Sequence, residues 1–264
     1  SAVFSRYLGA MMARGHSIEY FIEGGRSRTG RLMQPKTGML AMTVRAYVRK
    51  PVRPVVFVPI YFGYERLVEG RTYIGELSGR PKEKESVIGM LRTLPELRSR
   101  FGKVYVSFGE PLPLDDLLER HVPGWDRQQP VTEEKPAWLS PLCVDLAHQI
   151  MTRINAAACV TPVNLMGTVL LATPRQRMGE ADLARQLELY ASLMRQAPYS
   201  PRVWVTPLDG QSMIRHCDSL RMLYRQSHPL GDIVGMSEST AVLSSYYRNN
   251  VLHLFSAAAW VALC

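Results

Sequence analysis

Apolar positions at helical spacing open the chain. Phe4, Leu8 and Met11 or Met12 share one face of residues 3–14, and Gly15 follows in the place of a C-terminal cap. Residues 17–23, SIEYFIE, alternate instead, with Ile18, Tyr20 and Ile22 on one side, which predicts a short strand. A polar loop from Gly24 to Pro35 comes next. Met39, Leu40, Thr43, Ala46 and Tyr47 then return to helical spacing over residues 37–50, and Pro51 and Pro54 end that helix. Residues 55–62, VVFVPIYF, are continuously apolar, the pattern of a strand buried on both faces. An amphipathic helix is predicted from Pro81, broken or kinked at Pro95, and residues 103–108, KVYVSF, predict a third strand. Strand, helix, strand in this order predicts a βαβ unit with a right-handed crossover.

The character changes across residues 121–137, which are polar and proline-containing. Helical periodicity then dominates, in WLSPLCVDLAHQIMTRINAAA (138–158) and EADLARQLELYASLMRQ (180–196). PVNLMGTVLLA (162–172) is apolar nearly all round and is expected to be buried or to face lipid. RVWVT (202–206) and GDIVGM (231–236) predict two short strands, and Ser237 is placed to cap a last helix. The predicted fold class is α/β. A mixed, largely parallel sheet flanked by helices occupies residues 1–130, and a largely helical region occupies residues 131–264.

Composition narrows the function without deciding it. Lys and Arg number 32 against 23 Asp and Glu, a net charge of +9, which favours nucleic acid, an anionic membrane surface or a phosphorylated substrate. Cys143, Cys159, Cys217 and Cys264 form no C-x-x-C pair and have no His-rich neighbours, so reduced core thiols are expected and no metal. No apolar stretch reaches the roughly 20 residues a membrane span needs. Both ends of the sequence read as interior to a longer chain.

The concentrated chemistry lies in EYFIEGGRSRTGRL, residues 19–32. An expected strand runs into Gly24 and Gly25, and Arg26, Arg28 and Arg31 follow. In an open α/β sheet, ligands bind beyond the carboxyl ends of strands. Glycines let backbone N–H groups approach a ligand closely. Arg26 and Arg28, two apart in an extended segment, point the same way, and paired guanidinium groups suit a dianionic phosphate. Lys36 adds a point charge, and Glu23 is placed to bond a hydroxyl beside that phosphate. A solvated turn or a nucleic-acid contact fits the same residues. Charge concentrated in one loop favours a small phosphorylated ligand over nucleic acid, which spreads charge along a face and adds stacking aromatics.

FIEGGRSRTGRLMQPKTGML (21–40) resembles the third signature block of the glycerolipid acyltransferase family, and VFVPIYFGYE (56–65) resembles the fourth. The double glycine, YIGELSGRPKEKES (73–86) and APYSPRVWVTPLDG (197–210) are similar to the bacterial membrane-bound glycerol-3-phosphate acyltransferases. That resemblance implies transfer of a fatty acyl group from acyl-CoA or acyl carrier protein to the sn-1 hydroxyl of glycerol 3-phosphate, the first step of phospholipid synthesis. It implies that Glu23, Gly24, Arg26 and Arg28 bind glycerol 3-phosphate, with Gly25 and Ser27 in the same loop, Lys36 beside it and Pro59 shaping the acyl-donor side. It implies no cofactor, and a peripheral place on the cytoplasmic face of a bacterial inner membrane against anionic lipid. Related enzymes acting on lysophosphatidate, and a non-catalytic phosphate- or phospholipid-binding module, are the alternatives.

The family's general base is the His of a His-x4-Asp motif that precedes the third block. No such motif precedes it here, so the catalytic pair is expected upstream, on a preceding segment. His16 has Phe21 where the Asp belongs. His121 and Asp126 fit the formula but follow both blocks, and the intervening VPGW reads as a turn, so they are rejected. His148, His216, His228 and His253 are expected in loop, cap or core roles. A second basic cluster, Arg92, Arg98, Arg100 and Lys103, fits either a solvated helix face or contact with lipid headgroups.

Overall fold

The first helix forms where the apolar spacing places it. A computed structural model of the chain describes residues 2–25, 27–67, 102–127 and 136–264. The helix at Pro81, the segment 73–86 and the basic residues Arg92, Arg98 and Arg100 lie outside the described residues. The described helices are α1 (Ala2–Ala13), α2 (Gly38–Arg49), α3 (Leu114–His121), α4 (Leu139–Ala156), α5 (Pro162–Leu171), α6 (Glu180–Gln196), α7 (Gly210–Ser219), α8 (Glu238–Val251) and α9 (Ser256–Leu263). The strands are short: β1 (Val56–Phe57), β2 (Ile60–Tyr64), β3 (Val104–Phe108), β4 (Leu112–Pro113), β5 (Cys159–Val160), β6 (Arg177–Gly179), β7 (Trp204–Val205), β8 (Tyr224–Gln226) and β9 (Ile233–Gly235).

The chain divides into two compact units, interleaved in sequence rather than cut at one point. One comprises Ser1–Ser27, Leu32–Ile60 and Phe108–Asn155, and the other Arg28–Arg31, Tyr61–Ser107 and Ala156–Cys264. In the first unit, α2 buries Leu40, Val44 and Tyr47 against Leu114, Leu117 and Leu118 of α3 and Leu142, Leu146 and Ile150 of α4. Tyr47 keeps its hydroxyl satisfied at the edge of this core by donating to Asp115 at 2.6 Å. β1 and β4 pair antiparallel, Phe57 opposite Leu112.

The second unit is built around α5, whose Leu165, Met166 and Leu170 are fully buried. A reciprocal capping box starts α5. The Thr161 hydroxyl accepts from the Asn164 backbone N–H, and the Asn164 side-chain oxygen Oδ1 accepts from the Thr161 N–H at 2.8 Å. Asn164 then donates to the Tyr247 carbonyl at 2.7 Å, which fastens α8 to α5. β5 and β7 are parallel, whereas β9 runs antiparallel to both β6 and β8. Where Gly210 begins α7, an added Cβ would lie 2.1 Å from the Ala184 carbonyl oxygen of α6. Gly210→Ala is expected to cost about 1–3 kcal/mol in thermal unfolding, since backbone must move to admit the methyl group. Gly38→Ala, whose Cβ meets nothing within 4 Å, is the neutral comparison.

Two expectations are corrected. Residues 17–23 form no strand: Ile22 is buried, but its carbonyl accepts a single bond from Lys36 N–H at 2.8 Å and no ladder develops. The chain instead turns at once, with Gly24 N–H donating to the Phe21 carbonyl at 2.9 Å. The apolar run 55–62 is two strands, because Pro59 has no N–H to continue a ladder. It is not buried on both faces either. Burial alternates along β2, with Tyr61 and Gly63 inside and Phe62 and Tyr64 outside. β2 pairs with β3 in a sheet of two strands. The parallel pair β5–β7 lies beyond residue 130, in the region expected to be helical, whereas β1 and β4, within residues 1–130, pair antiparallel.

Candidate functional site

Gly24 has φ +63°, a left-handed conformation that glycine adopts without strain. The stem of Lys36 lies across it. A Cβ on Gly24 would sit 2.7 Å from Lys36 Cδ and 3.4 Å from Nζ, so the ammonium group is held against this turn. Glu23, just before it, is partly buried and accepts the Met33 N–H. Burial raises its carboxyl above the ordinary range, and the Met33 bond opposes that. Gly25 follows, close to the Met33 methyl group. Glu23, Gly24, Gly25 and Lys36 are therefore gathered around one turn of the first unit, although no strand leads into it. Ser27 closes that stretch, partly buried. Arg26 lies outside the described residues. Pro59 is fixed separately. It is buried between β1 and β2, and its carbonyl accepts the Gly109 N–H at 2.7 Å.

Arg28 belongs to the second unit, in the short piece Arg28–Arg31. It is exposed. Inside this piece Arg31 N–H donates to the Thr29 hydroxyl at 3.4 Å, and Gly30 takes φ +75°.

The rejected pair stays rejected. His121 Nε2 lies 2.9 Å from Asp145 Oδ2, and Gln149 donates to the other oxygen at 3.1 Å. The His121 bond holds the Asp145 carboxyl below its usual range. A depressed carboxyl stabilises the fold above its unfolded value, about pH 4, and loses that contribution as pH falls through the folded value. Asp145→Asn is thus expected to be less stable than the parent near neutrality and to converge with it in acid, which urea unfolding at stepped pH will show. A surface cavity of ≈ 770 Å³ beside α3 is lined by Asp115, Asp116, Glu119 and Asp126, the wrong sign for a phosphate. His16 is exposed just beyond the end of α1.

One buried group escaped the sequence reading. Glu65, at the end of the fourth block, is 0% exposed. Its carboxylate accepts from Lys103 N–H at 2.8 Å, from the Tyr105 hydroxyl at 3.2 Å and from His216 Nε2 at 3.0 Å. Burial, reinforced by Glu65, pushes the Tyr105 hydroxyl up. His216, expected in a core or cap role, is thus one arm of a buried polar cluster. An acidic residue closing an apolar block was the available signal. Cys143, Cys159 and Cys217 are buried and unbridged, as expected for core thiols, and Cys264 is exposed. Among the described residues no group of His, Cys, Asp or Glu could hold a metal ion, and no helix is long and apolar enough to cross a membrane.

Residues 1–63, which include this glycine turn and the arginines after it, match the acyltransferase family. Residues 73–264 match the glycerol-3-phosphate acyltransferase C-terminal region, and the chain belongs to that family. It is 56% identical over 265 residues to a glycerol-3-phosphate acyltransferase of Xanthomonas axonopodis pv. citri, covering 100% of this chain and 30% of the relative. Proteins of the same name match at 52% identity in Xylella fastidiosa M12 (100% of this chain, 31% of the relative) and at 49% in Pseudomonas paraeruginosa (99% and 31%). The chain thus spans 30–31% of the length of these relatives.

Proposed function

We propose that this chain is part of a glycerol-3-phosphate 1-O-acyltransferase and carries its acceptor-phosphate site. The observation that carries the reading is the Glu23–Gly24–Gly25 turn with Lys36 laid across it, in a chain whose relatives bear that enzyme's name. Lys36 and the guanidinium groups of Arg26 and Arg28 would neutralise the phosphate, and Glu23 would accept from a glycerol hydroxyl. A His-x4-Asp pair on the preceding segment would take the sn-1 proton. The deprotonated oxygen would then add to the thioester carbonyl of acyl-CoA or acyl carrier protein, and the C–S bond would break as the His returns its proton to the leaving sulfur, releasing the thiol. Buried Pro59 would shape the donor side by holding the β1–β2 break rigid. In the whole protein, residues 1–130 would complete an α/β acyltransferase core with a largely parallel sheet, and residues 131–264 would form the helical region after it.

A peripheral place on the cytoplasmic face of a bacterial inner membrane fits the net charge of +9 and the exposed Trp260, Val261 and Leu263 of α9. The product, 1-acylglycerol 3-phosphate, partitions into such a surface and feeds phospholipid synthesis. The test is an acyl-transfer assay of the full-length protein with labelled glycerol 3-phosphate or 1-acylglycerol 3-phosphate as acceptor and palmitoyl-CoA as donor. Acylation of glycerol 3-phosphate at sn-1 is expected. Preference for the acylated acceptor would assign a lysophosphatidate acyltransferase, and turnover of neither would leave a binding module.

A further inference from the structure

The arginine loop of the acyltransferase block is held by the far end of the chain. Asn249 of α8 donates its side-chain amide to the Thr29 carbonyl at 2.7 Å, across 220 residues of sequence. The opposite end of that amide accepts from the Arg248 guanidinium at 3.2 and 3.3 Å. A guanidinium can only donate, so it turns the oxygen of Asn249 toward itself and the N–H₂ toward Thr29. One residue on, Gly30 lies against the backbone of the same helix. Its φ is +75°, and an added Cβ would stand 2.2 Å from the Tyr246 carbonyl oxygen and 3.1 Å from the Asn250 amide nitrogen. That nitrogen already donates to the Tyr246 carbonyl at 2.7 Å. Thr29 in turn accepts from Arg31 N–H. Residues 28–31 are therefore shaped by one polar anchor and one close backbone approach, both supplied by α8.

We infer that Asn249 and the Gly30–Tyr246 contact fix the Arg28–Arg31 loop and so position Arg28 to hold a phosphate. Asn249 is a positioning residue that acts through the Thr29 carbonyl. An arginine on an unanchored loop must be ordered when the ligand binds, and that ordering weakens affinity. Displacement of a binding group by ~1 Å costs on the order of 10²-fold in rate. A loop fixed in advance by α8 avoids both. The inference rests on the phosphate-binding reading of Arg28, and the test separates the two.

The experiment is steady-state kinetics of the full-length enzyme with glycerol 3-phosphate and palmitoyl-CoA, for the parent, Asn249→Ala, Gly30→Ala and Arg28→Ala, with a thermal melt of each. Asn249→Ala is expected to raise KM for glycerol 3-phosphate roughly 5- to 10-fold, the worth of one neutral hydrogen bond. KM for palmitoyl-CoA and Tm should stay near the parent's values. Gly30→Ala, which drives the loop off α8, should raise the same KM further. If Arg28→Ala leaves KM for glycerol 3-phosphate unchanged, the phosphate reading itself falls, and the inference with it. If Arg28→Ala raises it and Asn249→Ala does not, the positioning role alone is overturned. Equal rises in both KM values with a lowered Tm would assign Asn249 to folding and overturn it too. Should Gly30→Ala fail to fold, Asn249→Ala still decides.

Discussion

If the proposed function holds, Arg28→Ala in the full-length protein is expected to lower kcat/KM for glycerol 3-phosphate roughly 10- to 150-fold, a loss of about 1.5–3 kcal/mol. The reason is chemical. A guanidinium presents paired N–H donors that match two phosphate oxygens, and its hydrogen bonds to a dianion are charge-assisted. Arg28→Lys keeps the charge and loses the fork, so it should fall between parent and alanine variant. The acyl donor meets none of these groups in the proposed geometry, so KM for palmitoyl-CoA should hold steady. Initial rates with each substrate varied in turn check both halves.

Removal of the Glu65 carboxylate should have the largest effect on stability. Glu65→Ala is expected to cost about 3 kcal/mol or more, since each buried donor left without its acceptor costs about 1–3 kcal/mol. Three donors lose their acceptor together: Lys103 N–H, the Tyr105 hydroxyl and His216 Nε2. Donors left unpaired away from water cost more than the bonds were worth on balance. Glu65→Gln keeps the shape and an oxygen, and should cost less. The site has little slack, since Gly102, at φ +72°, would place a Cβ 2.5 Å from Glu65 Oε2. Urea unfolding of the three proteins measures the difference. This cluster joins the ends of β2 and β3 to α7, so its loss should loosen that pair of strands against α7.

Local signals in the sequence were legible where one periodicity and one cap acted together. Apolar spacing located α1, α2, α4 and α6. Gly15 takes φ +78° past the end of α1, and Ser237 accepts the Thr240 N–H at the start of α8. Signals that depend on a partner were not legible. SIEYFIE alternates as a strand does, yet a strand needs a neighbour to bond, and among the described residues Ile22 meets Lys36 through a single backbone bond. VVFVPIYF is apolar on both faces in sequence, yet Val56, Val58 and Phe62 are exposed. α3 was missed because LDDLLERH is too short to show a period, although Asp115 and Asp116 sit where a helix N-terminus favours acids.

The candidate site divides the same way. Glycines and basic residues crowded after an apolar run marked the candidate phosphate loop, and Lys36 was picked out by its charge alone. Its position over Gly24 depends on a turn that no pattern encodes. The anchor from Asn249 to Thr29 was invisible, since nothing local in SYYRNN marks it as the support of a loop 220 residues earlier. His216 likewise gained meaning only when folding brought Glu65 to it.

The most direct measurement compares glycerol 3-phosphate with glycerol as acceptors for the full-length protein, in the parent and in Arg28→Ala. Both acceptors offer the same hydroxyl, so the ratio of their kcat/KM values reports phosphate recognition alone. The parent is predicted to favour glycerol 3-phosphate strongly, and the variant to lose most of that preference through the phosphorylated substrate. An undiminished ratio in Arg28→Ala, or a parent that uses both acceptors equally, would contradict a phosphate-holding role for this loop.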